Sequence, residues 1–220
     1  MLRAVIFDFD GTIADTIPAI TEGINLTMTQ YGYPTHTDEE VLTYINNGPR
    51  MLIRRALPKE LQQDEKLLDR VLADYDSLYQ TVCAHTNKPY DGLEEVVRTL
   101  RERNIKIGVL SNKQDRLLGQ MIENVLPNMI DATQGSLPNQ PTKPDPYLTS
   151  LITEKLGVTP AECVMIGDSD VDVKTAQAAG MHHIGVSWGY RNEAFLRQSG
   201  ATVVVDTPEQ LLAAIERIDA

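Results

Sequence analysis

The chain has 220 residues, 42% of them hydrophobic and 23% charged, with a formal net charge of −11. That is long enough for one domain or two small ones with a real core, and the negative balance argues against nucleic acid as a partner. The sequence has no apolar run near the roughly 18 residues of a membrane span and no secretory signal at its N-terminus. Cys83 and Cys163 stand outside any CxxC pair, so these features predict a cytoplasmic monomer or homodimer without disulfides.

The first element is Ala4-Val5-Ile6-Phe7, an apolar run that ends in Asp8-Phe9-Asp10-Gly11-Thr12. It reads as a strand buried on both faces. Residues two apart on a strand point the same way, so Asp8 and Asp10 are expected side by side where the strand leaves the sheet. Two close carboxylates need a positive partner. A divalent cation is the natural one, and carboxylate oxygens suit Mg²⁺.

Residues 15–85 read as helices only. Ile17, Ile20, Ile24, Met28 and Tyr31 recur at steps of three and four, followed by Gly32. Thr37-x-x-Glu40 is a capping-box pattern that opens a second helix with Val41, Leu42 and Ile45. Leu67, Leu68, Val71, Leu72, Tyr75, Leu78, Tyr79 and Val82 mark a longer one. Gly48-Pro49-Arg50 interrupts this block and offers a cation, with Arg54 and Arg55 nearby.

After residue 90, strands and helices alternate. Strands are expected at 105–110, 163–166, 183–186 and 202–205. Helical patterns lie near 92–103, 114–125, 145–156, 170–179 and 208–218, and Gly180 is placed to stop the fourth. The alternation predicts an α/β fold, a Rossmann-like parallel sheet core. Residues 15–85 interrupt it as an inserted small α-helical cap domain, leaving 1–14 and 86–220 as the core. The returns to the core fall near Ala14–Thr16 and Ala84–Gly92.

Three polar motifs sit where strands end or between them. They are Ser111-Asn112-Lys113, Pro141-Thr142-Lys143-Pro144-Asp145-Pro146 and Gly167-Asp168-Ser169-Asp170-Val171-Asp172. Ligands of open parallel sheets bind beyond the carboxyl ends of strands. Proline after Lys143 biases it to an extended backbone, which would aim the ammonium at a fixed point.

With DFDGT, these motifs in this order make the chain resemble the haloacid dehalogenase superfamily, in its phosphoglycolate phosphatase-like branch. The resemblance spans essentially the whole chain. It implies a Mg²⁺-dependent hydrolysis of a small phosphorylated metabolite through an aspartyl phosphate. Asp8 would be the nucleophile, and Asp10 would protonate the leaving alcohol and then deprotonate water. Thr12 and Ser111 would bind phosphoryl oxygens, helped by backbone N–H groups around Asn112 and Gly11. Lys143 would bind the phosphate and offset the charge of Asp8. Asp8, Asp168 and the main-chain carbonyl of Asp10 would hold the Mg²⁺, and Asp172 would act through a water or by holding Lys143. Arg50 would face the substrate from the cap.

Each of these residues also has a plainer reading. Ser111-Asn112 can be a turn or a helix N-cap, Lys143 a solvated surface lysine, and Arg50 a surface charge. Trp188-Gly189-Tyr190-Arg191 reads either as a packed loop or as a substrate contact. The run Asp168-x-Asp170-x-Asp172 fails as an EF-hand loop, because Val173 and Ala179 replace the required Gly and Glu. The favoured substrate is phosphoglycolate. Pyrophosphatase or β-phosphoglucomutase chemistry is the alternative within the family, and a phospho-acceptor signalling module without turnover is the alternative outside it.

Overall fold

The structure is a computed structural model that describes residues 1–45, 47–86 and 88–219, without the side chains of 84–86 and 219. Asn87, in the expected return segment, lies outside the described residues. The chain divides into two compact units, Met1–Asp15 with Lys88–Ala220, and Thr16–Asn87.

The first strand, β1, covers Ala4–Phe7. Its four side chains are fully buried, as an apolar run without alternation requires of a strand covered on both faces. The chain then enters the helical unit, with α1 at Ile17–Gln30, α2 at Asp38–Leu42, α3 at Gly48–Ala56 and α4 at Glu65–Thr86. The apolar stripe of α1 is buried at Ile17, Ile20, Ile24 and Met28. It packs on α4, where Tyr75 and Tyr79 stack beneath Gly23 at a centroid distance of 5.3 Å.

The capping box of α2 forms as the spacing requires, with Thr37 N–H donating to Glu40 Oε2 (2.9 Å) and Glu40 N–H to Thr37 Oγ1 (3.3 Å). The helix nonetheless stops at Leu42 and does not reach Ile45. Gly48-Pro49-Arg50 begins α3, with proline in its first turn, where its missing N–H costs nothing.

The chain returns through α5 (Leu93–Glu102), β2 (Lys106–Gln114), α6 (Asp115–Val125), β3 (Ala132–Ser136), α7 (Pro146–Leu156) and β4 (Cys163–Gly167). It ends through α8 (Asp170–Ala179), β5 (His182–Val186), α9 (Glu193–Gln198), β6 (Val204–Val205) and α10 (Pro208–Asp219). The strands form one parallel sheet in the order β3-β2-β1-β4-β5-β6. Chain order runs outward from β1 on one side and from β4 on the other. The switch point between them is where parallel sheets open a crevice at their carboxyl ends. In register, Phe7 lies beside Val109 on β2 and Ile166 on β4. Strands β1 and β4 therefore end at nearly one level, while β2 runs on beyond them.

On one face Ala4, Ile6, Cys163 and Met165 pack against Leu148, Ile152 and Leu156 of α7 and Ala176 of α8. Burying each large aliphatic side chain there contributes about 2 kcal/mol. Among the described residues no helix is long and apolar enough to cross a membrane. Both cysteines are buried and unbridged.

Three expectations change. Strand β3, with the sequence Ala-Thr-Gln-Gly-Ser, and the short helix α9 carry little apolar periodicity and are not anticipated. Strand β2 runs on to Gln114, with an irregularity in its pairing with β3 after Leu110. Ser111-Asn112 consequently lies within the strand and is not a helix N-cap, because α6 begins after Gln114.

On β5, His183 has both ring nitrogens buried without a hydrogen-bond partner. Burial holds its pKa down at about 4. The unfolded chain then takes up the proton first, so its contribution is full above pH 6.5 and is lost as pH falls to 4. The depression corresponds to about 3 kcal/mol at most. Urea midpoints should fall more steeply between pH 6.5 and 4.5 for the natural protein than for His183→Phe.

Candidate active site

The loop after β1 brings Asp8 to the switch point, where its N–H donates to Ile166 O of β4 (2.8 Å). Asp8 Oδ1 accepts from Phe9 N–H at 2.7 Å and lies 3.0 Å from Lys143 Nζ. The ammonium of Lys143 also lies 2.8 Å from Asp172 Oδ1, and its side chain is only 2% exposed. A buried ammonium at this depth is tolerated only when paired. Burial alone would lower its pKa, but Asp172 and Asp8 together raise it above the ordinary lysine value.

Three neighbours make that pairing rigid. Asn112 clamps the backbone of Lys143 at two points, its Nδ2 donating to Lys143 O (3.1 Å) and its Oδ1 accepting from Lys143 N–H (2.8 Å). Asp172 Oδ2 accepts from Ser169 Oγ (2.6 Å) and Ser169 N–H (3.1 Å). Gly167 permits the approach, because a Cβ there would lie 2.2 Å from Asp172 Cγ.

Asp168, on the loop after β4, accepts from Thr12 Oγ1 through Oδ1 (3.1 Å) and from Tyr190 N–H through Oδ2 (2.7 Å). Burial, reinforced by the charge of Asp172, pushes its pKa up to about 7, against the opposing pull of those donors. Asp8 is likewise held well above the usual carboxylate range, first by burial and then by Asp172, Asp168 and Asp10, with Lys143 opposing.

Asp10 is close enough for its charge to act on Asp8, but its carboxylate has a different cationic partner. Strand β1 ends at Phe7, so the two-residue alternation no longer governs positions 8 to 10. The Asp10 carboxylate meets its own cation, Lys113 Nζ, at 3.1 Å. Lys113 is the site residue that its sequence motif does not reveal, because its partner Asp10 lies far away in the chain. The signal was its place three residues beyond Leu110 at the end of β2.

Ser111 is 2% exposed, and its Oγ accepts from Lys113 N–H at 3.2 Å. Arg50 belongs to the helical unit, where Glu65 (2.6 Å) and Asp69 (2.5 Å) hold its guanidinium. Trp188 and Tyr190 join the site loop through their hydrogen bonds. Trp188 Nε1–H donates to Thr12 O (3.1 Å), and a Cβ on Gly189 would lie 2.2 Å from Gly11 O. The segment is thus a packed strap against DFDGT and Asp168.

Asp8, Asp168 and Asp172 offer three carboxylate oxygens within 4.8 Å of one another. A donor set of carboxylate oxygens suits a hard divalent cation. Lys143 and Ser169 meet the two oxygens of Asp172, and Thr12 and Tyr190 N–H meet those of Asp168, so both carboxylates are held in fixed orientations. Asp8, Asp10, Asp168 and Asp172 outnumber Lys113 and Lys143 by two, which is the charge one divalent cation carries.

A doubly wound parallel sheet with a buried lysine–carboxylate cluster at its switch point defines an α/β protein whose ligand site lies beyond the carboxyl ends of the central strands. The family follows from comparison with known proteins. The model of the haloacid dehalogenase-like hydrolases matches residues 5–186, and the chain belongs to that family.

Curated relatives include the phosphoglycolate phosphatase of Photobacterium profundum, 30% identical with 98% of this chain and 96% of the relative covered. That of Aliivibrio fischeri is 27% identical with 97% and 96% covered. Among solved structures, a candidate phosphoglycolate phosphatase from Lactobacillus delbrueckii subsp. bulgaricus superposes with a TM-score of 0.87. It is 32% identical and covers 97% of this chain and 98% of its own.

A cation at Asp168 must displace the proton that its raised pKa retains. Without the cation, Asp168 binds its proton more tightly folded than unfolded. Its contribution to stability is therefore full below about pH 4 and is lost as pH rises through 7. Calorimetric Mg²⁺ titration should show affinity more than about tenfold weaker at pH 5.5 than at pH 7.5, with proton release that Asp168→Asn reduces.

Proposed function

We propose that this chain is a Mg²⁺-dependent phosphatase of a small phosphorylated metabolite, with phosphoglycolate as its substrate. The observation that carries the reading is Lys143, buried between Asp8 and Asp172 at the switch point, with oxygens of those two carboxylates and Asp168 within 4.8 Å of one another. The Photobacterium and Aliivibrio relatives support the substrate. Residues 15–85 serve as the cap and 1–14 with 86–220 as the core.

Asp8 is the nucleophile. Its carboxylate forms a bond to phosphorus as the bond to the leaving alcohol breaks, and Asp10 gives that alcohol a proton. Water then attacks the aspartyl phosphate and passes a proton to Asp10, while the Asp8–phosphorus bond breaks and inorganic phosphate leaves. Thr12, Ser111 and the backbone N–H groups near Gly11 and Asn112 bind the phosphoryl oxygens. Lys143 holds both Asp8 and the phosphoryl group as negative charge redistributes. Asp8, Asp168 and the carbonyl of Asp10 hold Mg²⁺, which supplies electrostatic stabilisation of the transferring phosphoryl group when bound.

Arg50, whose guanidinium is held in the helical unit by Glu65 and Asp69, is the cap residue that faces the substrate in this scheme. Lys143 and Lys113 offset only part of the carboxylate charge at the site, so the cation supplies the remaining positive field that an anionic substrate needs despite the net charge of −11.

The test is a panel of phosphoglycolate, pyrophosphate, β-glucose 1-phosphate and an aryl phosphate, ranked by kcat/KM with and without a chelator. Phosphoglycolate should lead, chelation should abolish turnover, and Asp8→Asn should lose at least about a thousandfold in kcat. A panel led by pyrophosphate or the sugar phosphate would overturn the substrate. Undiminished turnover by Asp8→Asn would overturn the nucleophile, and a single turnover without release would mark a signalling module.

A further inference from the structure

We infer that Lys113 is a positioning residue that fixes the Asp10 carboxylate for both proton transfers, an inference that rests on the phosphatase reading above.

The evidence is geometric. A lysine at a sheet edge ordinarily keeps its ammonium in water while its stem lies on the surface. The side chain of Lys113 is instead only 8% exposed, with Nζ 3.1 Å from Asp10 Oδ1. Nζ also lies 6.0 Å from the centroid of the Phe9 ring, which flanks the ion pair. The backbone on both sides is fixed. Strand β2 persists to Gln114, and Lys113 N–H donates to Ser111 Oγ at 3.2 Å. Asp10 bridges Ala14, and Gly11 N–H donates to Ala14 O at 2.9 Å. One strand end and one turn thus meet through the Lys113–Asp10 ion pair.

The chemistry makes this placement useful. In the first step the Asp8 oxygen–phosphorus bond forms as the phosphorus–alcohol oxygen bond breaks, and the proton moves from Asp10 to that oxygen. In the second step the water oxygen–phosphorus bond forms as the Asp8 oxygen–phosphorus bond breaks, and the proton returns from water to Asp10. In-line displacement puts the leaving oxygen and the incoming water at the same apical position opposite Asp8. One orientation of Asp10 therefore serves both steps, and small misplacements of a catalytic group cost about a hundredfold. Lys143 cannot supply this restraint, because its ammonium is committed to Asp8 and Asp172.

The experiment compares the natural protein with Lys113→Met, Lys113→Gln and Lys113→Arg on p-nitrophenyl phosphate and on phosphoglycolate, by stopped-flow and steady-state kinetics. An aryl leaving group needs no proton, so Lys113→Met should form the phosphoenzyme quickly and hydrolyse it slowly. The expected signature is a burst of p-nitrophenolate that the natural protein lacks. With phosphoglycolate, kcat should fall by about tenfold to a hundredfold with KM within about twofold and no burst, and Lys113→Arg should recover part of the loss.

Lys113→Gln gives the same readout should Lys113→Met fail to fold, which thermal unfolding reports. Three results overturn the inference. They are kcat within twofold of the natural value on both substrates, a change confined to KM, or an equal loss on both substrates without a burst. Failure of the phosphatase reading is separately visible, because the natural protein would then turn over neither substrate.

Discussion

The buried ammonium of Lys143 is the constraint on which the site depends. With a side chain only 2% exposed, it persists as a cation because Asp8 and Asp172 stand within 3.0 Å and 2.8 Å. Removing one partner of such a buried pair ordinarily costs about 3–5 kcal/mol, since the other charge is left uncompensated. Each nearby feature serves the pairing. Asn112 clamps the lysine backbone, Ser169 orients Asp172, and the missing side chain at Gly167 lets Asp172 reach inward. The ends of β1, β2 and β4 and the loop before α7 are thereby tied to one charge.

That arrangement gives different cationic partners to two carboxylates that the sequence places almost together. Asp8 belongs to the lysine–aspartate cluster, and Asp10 belongs to Lys113. The proposed division of labour between nucleophile and proton carrier follows from these two environments. The remaining surplus of negative charge keeps Asp8 and Asp168 raised above ordinary carboxylates. A divalent cation relieves it, and the site gains the positive field that an anionic substrate needs in a protein of net charge −11.

Much of this was legible in the sequence because apolar runs terminate in polar motifs. Strands β1 and β4 are continuous apolar runs, and the long helices of the helical block carry apolar residues at steps of three and four. The capping box at Thr37 is local chemistry readable without tertiary structure. Strand β3 was not legible, because Ala-Thr-Gln-Gly-Ser lacks an apolar pattern and Gln134 is buried by its place in the sheet. The continuation of β2 to Gln114 depends on its pairing with β3. The role of Lys113 and the engagement of Arg50 with Glu65 and Asp69 depend on partners 15 or more residues away, which spacing alone does not reveal.

Covalent phosphoryl transfer to Asp8 is the central claim, and the most direct measurement traps that intermediate. Asp10→Asn, incubated with Mg²⁺ and p-nitrophenyl phosphate and quenched in acid, should carry one phosphate on the peptide containing Asp8. The adduct should be cleaved by hydroxylamine, and the double variant with Asp8→Asn should lack it. Phosphate on any other residue, or an adduct that persists after Asp8→Asn, would contradict the account.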